Sequence, residues 1–265
     1  IGSPALTSFG TKFFNLPFAV DIPFVKPVIR ETIYKQFVGG ETAEQGVVVA
    51  NELFKYHVSS ILDYSIEGLT EEKQFDEVRD VMLHLVDLAK SNQSIPFVVF
   101  KPTAFGRIEL FEKVGKKQTL TAEEEKSWAN IRQRFEAVCQ KGYDLDVNIM
   151  VDAEETWMQG SADDLTDEMM VKYNTKRALV WNTLQMYRHD RLAYLKEMHA
   201  KAEREGYFLG FKIVRGAYME KERARAQAEG YPSPIQPNKE ASDRDYNLAL
   251  EFIASHHERF GLFAG

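Results

Sequence analysis

Polar or ionisable side chains terminate five apolar, strand-like runs of this chain. The runs are Val58–Asp63, Ile95–Lys101, Val147–Asp152, Ala178–Asn182 and Leu209–Arg215. Amphipathic helical patterns separate them, which predicts parallel strands that are buried on both faces and end at one common edge. Ionisable groups gathered at that edge could bind a small charged ligand or catalyse a reaction, because α/β barrels keep their active sites there.

Two lysines and one aspartate are the main candidates for this chemistry. Lys101 follows four apolar residues and precedes a proline, so its ammonium group must lie at the rim, where it can meet an acid or an anionic substrate. Asp152 could belong to such a site, or it could equally cap the start of the next helix. Lys212 and Arg215 are three residues apart in one strand and therefore face opposite sides. The residues alone indicate an α/β enzyme with a cationic, carboxylate-containing site for a small anionic ligand.

Several other functional classes are excluded by composition and motif. The 265 residues carry a formal net charge of −7 without a basic stripe, which argues against nucleic acid as a partner. Cys139 is the sole cysteine, so neither a disulfide framework nor a cysteine metal cluster is possible. No H-E-x-x-H motif occurs, and the adjacent His256 and His257 point to different sides of a helix, so we expect no metal. A dinucleotide fingerprint, a P-loop and a G-x-S-x-G elbow are also absent from the sequence.

Helix boundaries are signalled by capping motifs and glycines. Capping boxes at Thr42–Gln45 and Thr121–Glu124 precede apolar residues at helical spacing. Gly142 and Gly206 are expected to follow helix ends in the left-handed conformation. Together with apolar periodicity, these signals predict helices over 42–57, 70–90, 121–141, 164–173, 187–205 and 240–257.

The predicted elements amount to five strand–helix units and the start of a sixth, whereas a closed barrel needs about eight. The alternatives are an open doubly wound sheet and a barrel that stops about two thirds of the way round. The last apolar run, Phe260–Ala264, favours the truncated barrel, because a chain seldom ends within a buried strand. We therefore expect an N-terminal arm over 1–40, and over 41–265 a barrel domain that lacks its C-terminal strands and final helix. Charges and prolines interrupt the apolar stretch Phe13–Ile29, so it is not expected to span a membrane.

Several motifs in a fixed order carry a resemblance to a known family. They are Phe37–Thr42, Leu62–Ser65, Phe100–Ala104, Met150–Glu154, Asn182–Tyr187, Phe211–Tyr218 and Glu222–Ala226. In this order and spacing the chain resembles the proline dehydrogenase family over roughly residues 37 to 265. The Lys-x-x-Arg-Gly-Ala-Tyr form is similar to the mitochondrial-type branch.

This resemblance implies a fold, a reaction and a cellular setting. The fold would be a distorted (β/α)8, TIM-like barrel that holds FAD without a covalent bond. The reaction would be oxidation of L-proline to Δ1-pyrroline-5-carboxylate by hydride transfer from proline C5 to flavin N5, with the electrons passed to a membrane quinone. The location would be the mitochondrial inner membrane or matrix, or the cytoplasmic face of the inner membrane in a bacterium, with a possible peripheral membrane contact.

The resemblance also implies site residues. Lys101, Asp152 and Lys212 would be catalytic, with Lys101 near the substrate carboxylate and Lys212 on the N5 side of the flavin. Ala217 and Tyr218 would enclose the proline ring with Lys101. The cofactor-binding residues would be Asp152, Ala153, Gln185, Lys212, Ile213, Arg215 and Gly216.

One departure from the family pattern affects activity. In the family, the last two strands and the final helix carry a paired-arginine motif that binds the proline carboxylate, together with much of the FAD site, and this sequence does not contain them. We therefore expect this chain to be inactive by itself. Two other hypotheses remain open: a Schiff-base aldolase that uses Lys101 or Lys212 as its nucleophile, and a non-catalytic α/β binding module.

Overall fold

The computed structural model describes residues 38–64, 66 and 68–265, together with Pro27 and Glu31. The predicted N-terminal arm therefore lies almost entirely outside the described residues. Phe37, the first residue of one sequence motif, and Ser65, the last residue of another, also lie outside the described residues.

Strands and helices alternate along the described chain. The strands are β1 (Ile61–Asp63), β2 (Phe97–Phe100), β3 (Asn148–Val151), β4 (Val180–Gln185), β5 (Leu209–Val214) and β6 (Phe260–Ala264). The helices are α1 (Ala43–Phe54), α2 (Glu72–Ser91), α3 (Ile108–Gly115), α4 (Ala122–Leu145), α5 (Thr156–Tyr173), α6 (Arg191–Glu205), α7 (Met219–Glu229) and α8 (Lys239–Ser255). A 3-10 turn, Pro102–Ala104, follows β2 directly.

The six strands form one parallel sheet in sequence order, from β1 at one edge to β6 at the other. Each strand therefore pairs with the next strand along the chain, which is the connectivity of an α/β barrel. The two edge strands do not pair with each other within the described residues, so the sheet is an unclosed arc. This arrangement confirms the predicted α/β barrel-like fold, and every strand ends on the same side.

Side chains alternate between two faces of the sheet. The outer face packs under the helices in the main hydrophobic core, to which β2 contributes Val98 and Phe100. The inner face carries a smaller apolar cluster of Val99, Met150 and Trp181. Two residues further along, the inner face becomes polar or charged on most strands, at Asp63, Lys101, Asp152, Thr183 and Lys212. The inner cluster therefore forms a floor beneath the C-terminal edge of the sheet.

Two glycines allow Trp181 to lie across this floor. A Cβ atom at Gly210 would lie 2.6 Å from the indole Cγ, and one at Gly261 would lie 2.5 Å from its Cη2. Because β5 and β6 present only hydrogen here, the indole ring fills the space that side chains of both strands would otherwise occupy.

The capping predictions are largely confirmed, with one error. Thr42 and Thr121 accept hydrogen bonds from Gln45 N and Glu124 N, and Gly206 ends α6 at φ 80°. The prediction for Gly142 was wrong, because α4 continues to Leu145. A Cβ at Gly142 would lie 2.4 Å from Ile149 Cγ1, so this glycine serves close packing against β3.

Other boundaries also differ from the prediction. Helix α5 begins at Thr156 rather than near 164, and the helices α3 and α7 were not predicted. Strand β4 continues three residues past Asn182, which was expected to end it. Asn182 is buried on the outer face, where its Nδ2 donates to Asp163 Oδ1 at 3.0 Å, and Gln185 takes its place at the strand end.

Candidate functional site

A cavity of about 560 Å3 opens at the C-terminal edge of the sheet. It is lined by Asp63, Lys101, Asp152, Ala153, Thr183, Gln185, Lys212, Val214, Arg215, Gly216, Ala217, Tyr218 and Gly265. All the predicted site residues except Ile213 are among them. The structure therefore brings together, on one surface, residues of the strands β1, β4 and β5 and of the segments that follow β2, β3, β5 and β6.

Lys212 and Asp152 form an ion pair inside this cavity, and both side chains are largely buried. They extend from β5 and from the end of β3, and β4 runs between them. Thr183 of β4 is in register with Lys212, and its hydroxyl donates to Val151 O at 2.9 Å and contacts Asp152 Oδ1 at 3.4 Å. A charged pair is thus fixed on the inner face directly above the apolar floor.

Gln185 presents an unsatisfied acceptor to the cavity. Its Nε2 donates to Glu154 O at 3.0 Å, which fixes the orientation of the amide. Its Oε1 is buried and has no hydrogen-bond partner in the part of the chain that the structure describes. A buried carbonyl without a donor is costly, so this atom is suited to a ligand that brings an N–H or O–H group.

Glu154 supports the loop that carries Lys101. This buried carboxylate accepts hydrogen bonds from Thr103 N at 2.9 Å and from Thr103 Oγ1 at 2.7 Å. Burial raises the pKa of Glu154 above its ordinary value, and the Thr103 hydrogen bonds and the charge of Lys101 oppose that rise. The contact joins the turn after β2 to the loop after β3, so it sets Lys101 relative to Asp152.

Gly216 makes the turn that presents Ala217 and Tyr218. Its φ of 134° lies in a region that other residues rarely adopt, and a Cβ here would lie 2.4 Å from the ring of Tyr187. Backbone hydrogen bonds extend the pairing of β4 and β5 into this turn, with Tyr187 N donating to Arg215 O at 2.6 Å. Burial and the charge of Glu222 raise the pKa of the Tyr187 hydroxyl, so it stays protonated.

Arg215 and Ile213 differ from the rest of the site. Arg215 lies at the mouth of the cavity, where its Nε is 2.5 Å from Asp243 Oδ1 and its guanidinium lies 4.4 Å from the Tyr246 ring centre. Its guanidinium is therefore held by residues of α8, although Arg215 lines the same cavity as Lys212 and lies just beyond the end of β5. Ile213 is fully buried in the main core, so only its backbone could approach a ligand.

Sequence reasoning missed Thr103, Thr183 and Glu154 as parts of the site. Thr183 could have been found from period-two alternation, because it is two residues before Gln185 and so faces the same side. Thr103 and Glu154 belong to the quoted motifs, but no sequence signal indicates that they bond to each other across 51 residues.

A second cavity of about 550 Å3 adjoins the first and shares Lys101 and Tyr218 with it. Its other lining residues include Thr103, Arg107, Glu154 and Lys221. Lys101 and Tyr218 thus stand between two cavities.

Among the described residues, no group of three or more His, Cys, Asp or Glu side chains is placed to hold a metal ion. None of the described helices combines the length and the apolar character needed to cross a membrane.

Comparison with known proteins identifies relatives of the chain. The family model described as proline dehydrogenase matches residues 48–265. The carbapenem antibiotics biosynthesis protein CarD of Pectobacterium carotovorum is 32% identical over 86% of the chain, and the mitochondrial proline dehydrogenase 1 of Caenorhabditis elegans is 35% identical over 88%. The chain spans 59% and 38% of the length of these two relatives.

Among solved structures, proline utilization A of Bdellovibrio bacteriovorus is similar over the whole chain, with a TM-score of 0.79 and 19% sequence identity. The match covers 28% of that protein. At this identity the similarity concerns the fold alone.

Proposed function

The chain belongs to the proline dehydrogenase family, and on this premise we propose that the protein oxidises L-proline to Δ1-pyrroline-5-carboxylate with FAD as cofactor. The observation that carries the proposal is the convergence of Lys101, Asp152 and Lys212 on one cavity at the C-terminal edge of the sheet. Oxidising a small zwitterion there requires a cation for its carboxylate and an electron acceptor beside the carbon that is oxidised. Lys101 would meet the first requirement, and FAD held by other residues of the cavity would meet the second.

The donor set around the cavity fits a flavin. The buried Oε1 of Gln185 needs a donor, and an isoalloxazine ring offers a ring N–H group. Asp152, Ala153, Lys212, Arg215 and Gly216 line the same cavity, and together with the backbone of Ile213 they would hold the cofactor. Bound FAD supplies the acceptor for the hydride that leaves proline C5.

Substrate binding is assigned to Lys101, Ala217 and Tyr218. The ammonium group of Lys101 would attract the proline carboxylate, and the bond between Glu154 and Thr103 would hold the turn from which Lys101 extends. Ala217 and Tyr218 would enclose the proline ring and exclude water from the C5 side. Because Gly216 fixes their turn, this wall is set before the substrate arrives.

The ion pair of Lys212 and Asp152 would supply the electrostatics of the site. Asp152 pairs with Lys212 and directs it into the cavity, where the cation would stabilise negative charge on the reduced cofactor. Asp152, whose carboxylate is engaged by Lys212, would also be placed to hold a water molecule. The substrate amine must be neutral when hydride leaves, and we assign removal of its proton to solvent.

Electron transfer to a quinone and the cellular location are further parts of the proposal. Relatives named as mitochondrial support a mitochondrial location, at the inner membrane or in the matrix. In a bacterium, the source of one relative, the corresponding location would be the cytoplasmic face of the inner membrane. A peripheral membrane contact would bring the protein to its quinone acceptor.

The Schiff-base alternative is opposed by the ion pair. An aldolase lysine must be neutral to attack a carbonyl group, whereas Asp152 stabilises the charged form of Lys212. Borohydride trapping with a keto substrate would reveal such a lysine. The geometry gives no observation that favours this chemistry.

The test of the proposed function uses the purified full-length protein. We expect flavin absorbance bands, and reduction of an artificial acceptor with L-proline but not with D-proline. The chirality follows because a cation that holds the carboxylate leaves only one enantiomer with C5 against the acceptor. Equal rates with both enantiomers, or a colourless protein that cannot bind added FAD, would refute the proposal.

A further inference from the structure

Two loops that are not neighbours in the sheet form opposite walls of the cavity. Asp152 and Ala153 belong to the loop between β3 and α5, and Ala217 and Tyr218 belong to the loop between β5 and α7. Strand β4 lies between β3 and β5. The two loops extend beyond the paired strands, so contacts between the helices that follow them also bear on the distance between the loops.

Glu222 of α7 connects these helices. Its side chain is fully buried, and its carboxylate accepts hydrogen bonds from Thr156 N at 2.6 Å and Thr156 Oγ1 at 2.6 Å. Thr156 is the first residue of α5, and the preceding Glu155 makes no side-chain capping bond. A helix start has unsatisfied N–H groups and favours negative charge. Glu222 thus caps α5 from a position 66 residues away in the sequence.

Glu222 is also bonded to the substrate wall. Its backbone N donates to Tyr218 O at 2.9 Å in the first turn of α7. Glu222 therefore connects Tyr218 with the start of α5. That start, at Thr156, lies four residues after Asp152 in the chain. The same two segments are joined by an ion pair between Lys221 and Glu155, and by the guanidinium of Arg225, which lies 4.2 Å from the centre of the Trp157 ring.

We propose that Glu222 is a positioning residue that sets the wall formed by Ala217 and Tyr218 against Asp152 and Ala153 by capping α5. This inference rests on the proposed function, because the two walls are assigned there to substrate and cofactor. Removing the carboxylate leaves two buried donors of Thr156 without acceptors, and the start of α5 moves away from α7 to recover water. The site then widens on the side that encloses the proline ring.

The expected kinetic signature is a split between KM and kcat. Glu222→Ala should raise the KM for L-proline about tenfold, because displacements near 1 Å are enough to produce large losses. The kcat should fall less, because the ion pair of Lys212 and Asp152 does not involve Glu222. Glu222→Gln should stay within about twofold of wild type. Its amide oxygen can accept from Thr156 N while its NH2 donates to the Thr156 hydroxyl, which rotates to accept.

The experiment uses four variants of the full-length, FAD-loaded protein. Glu222→Ala and Glu222→Gln are compared with Thr156→Val, which removes only the hydroxyl donor and should raise KM less than Glu222→Ala does. Thr121→Ala is the control, because it removes a helix cap of α4 outside the cavity. It should lower the melting temperature without changing KM. Hydrogen exchange of the amides of residues 156–158 is followed in each variant and should accelerate in Glu222→Ala.

The outcomes separate this inference from the proposed function. Faster exchange with an unchanged KM would overturn the positioning role and leave a purely structural cap. Unchanged exchange in Glu222→Ala would show that the cap does not exist in solution. If wild type does not oxidise L-proline, the proposed function fails and the positioning role fails with it, while exchange still reports whether Glu222 caps α5.

Discussion

Lys212 and Asp152 are 60 residues apart in the chain, yet they form an ion pair across β4 within the cavity. Neither charge would be stable alone at this depth, because each loses water when the barrel forms. The pair therefore has a structural role as well as the proposed catalytic one, and a test must separate the two.

Replacement of Lys212 by methionine is expected to lower the flavin reduction potential and to slow flavin reduction by L-proline about 100-fold. The reason is that a cation beside the ring favours added negative charge. Stopped-flow reduction and a potentiometric titration measure the two effects. Lys201→Met is the matched control, since Lys201 pairs with Asp167 outside the cavity. A normal rate with an unshifted potential would remove Lys212 from the site.

Replacement of Lys101 by alanine is expected to reduce kcat/KM for L-proline by the equivalent of about 1.5–3 kcal/mol. The loss follows from removal of a charge-assisted contact with the carboxylate or its surroundings. Flavin content should remain near that of wild type, because no cofactor contact is assigned to Lys101. Steady-state kinetics and flavin absorbance provide the measurements, with Lys113→Ala on α3 as the control. Unchanged kinetics would make Lys101 a surface residue.

Gly216→Ala is expected to reduce the free energy of unfolding by about 2–4 kcal/mol and to weaken substrate binding. The added Cβ would lie 2.4 Å from the Tyr187 ring, and the alanine backbone would have to adopt a φ of 134°. Gly230→Ala is the control, since that glycine has φ 73° but open space around it. Gly230→Ala should reduce the free energy of unfolding by about 1 kcal/mol. Urea unfolding of both variants decides whether the contact or the φ angle dominates, and equal costs would contradict the packing argument.

Glu154→Gln is expected to change how stability depends on pH. Burial raises the pKa of Glu154 above its ordinary value of 4.5, so the folded protein binds this proton more tightly than the unfolded chain does. The free energy of unfolding therefore falls as the pH rises from 4.5 to the pKa of Glu154 in the folded protein. Above that pKa, the full loss of stability from burying the charged carboxylate is present. Glutamine resembles the protonated acid, because its amide oxygen can accept from Thr103 N while its NH2 donates to the Thr103 hydroxyl.

The difference in urea midpoint between Glu154→Gln and wild type should therefore grow from pH 4.5 upward and then become constant. Glu109→Gln serves as the control, because Glu109 lines the adjoining cavity but is exposed. A difference that does not vary with pH would mean that burial does not perturb Glu154.

The strands could be predicted because their signal is local. Apolar runs bounded by polar residues identified five of the six strands, and the final fragment was identified as a sixth. The helices α3 and α7 were missed for two different reasons: α3 is short and lacks a capping side chain, and few residues of α7 are buried. Helix α3 has eight residues and no side-chain cap, and α7 buries only Glu222 and Ala226.

The start of α5 was missed for a reason that lies outside its own sequence. No local residue caps Thr156, so the chain carries no start signal there. The cap comes from Glu222, which only the folded chain brings near. Asn182 was mistaken for a strand end because its partner, Asp163, lies on the neighbouring helix.

The sequence by itself determined where the strands lie and, except at the end of β4, which polar side chains could gather at one edge. That information is local, because alternation and apolar runs depend on a residue and its near neighbours. The tertiary structure alone decided that Lys212 pairs with Asp152, that Glu154 bonds to Thr103 and that Glu222 caps α5. These contacts join segments 51 to 66 residues apart, and they exist because burial leaves each polar group no partner other than the one the fold brings to it.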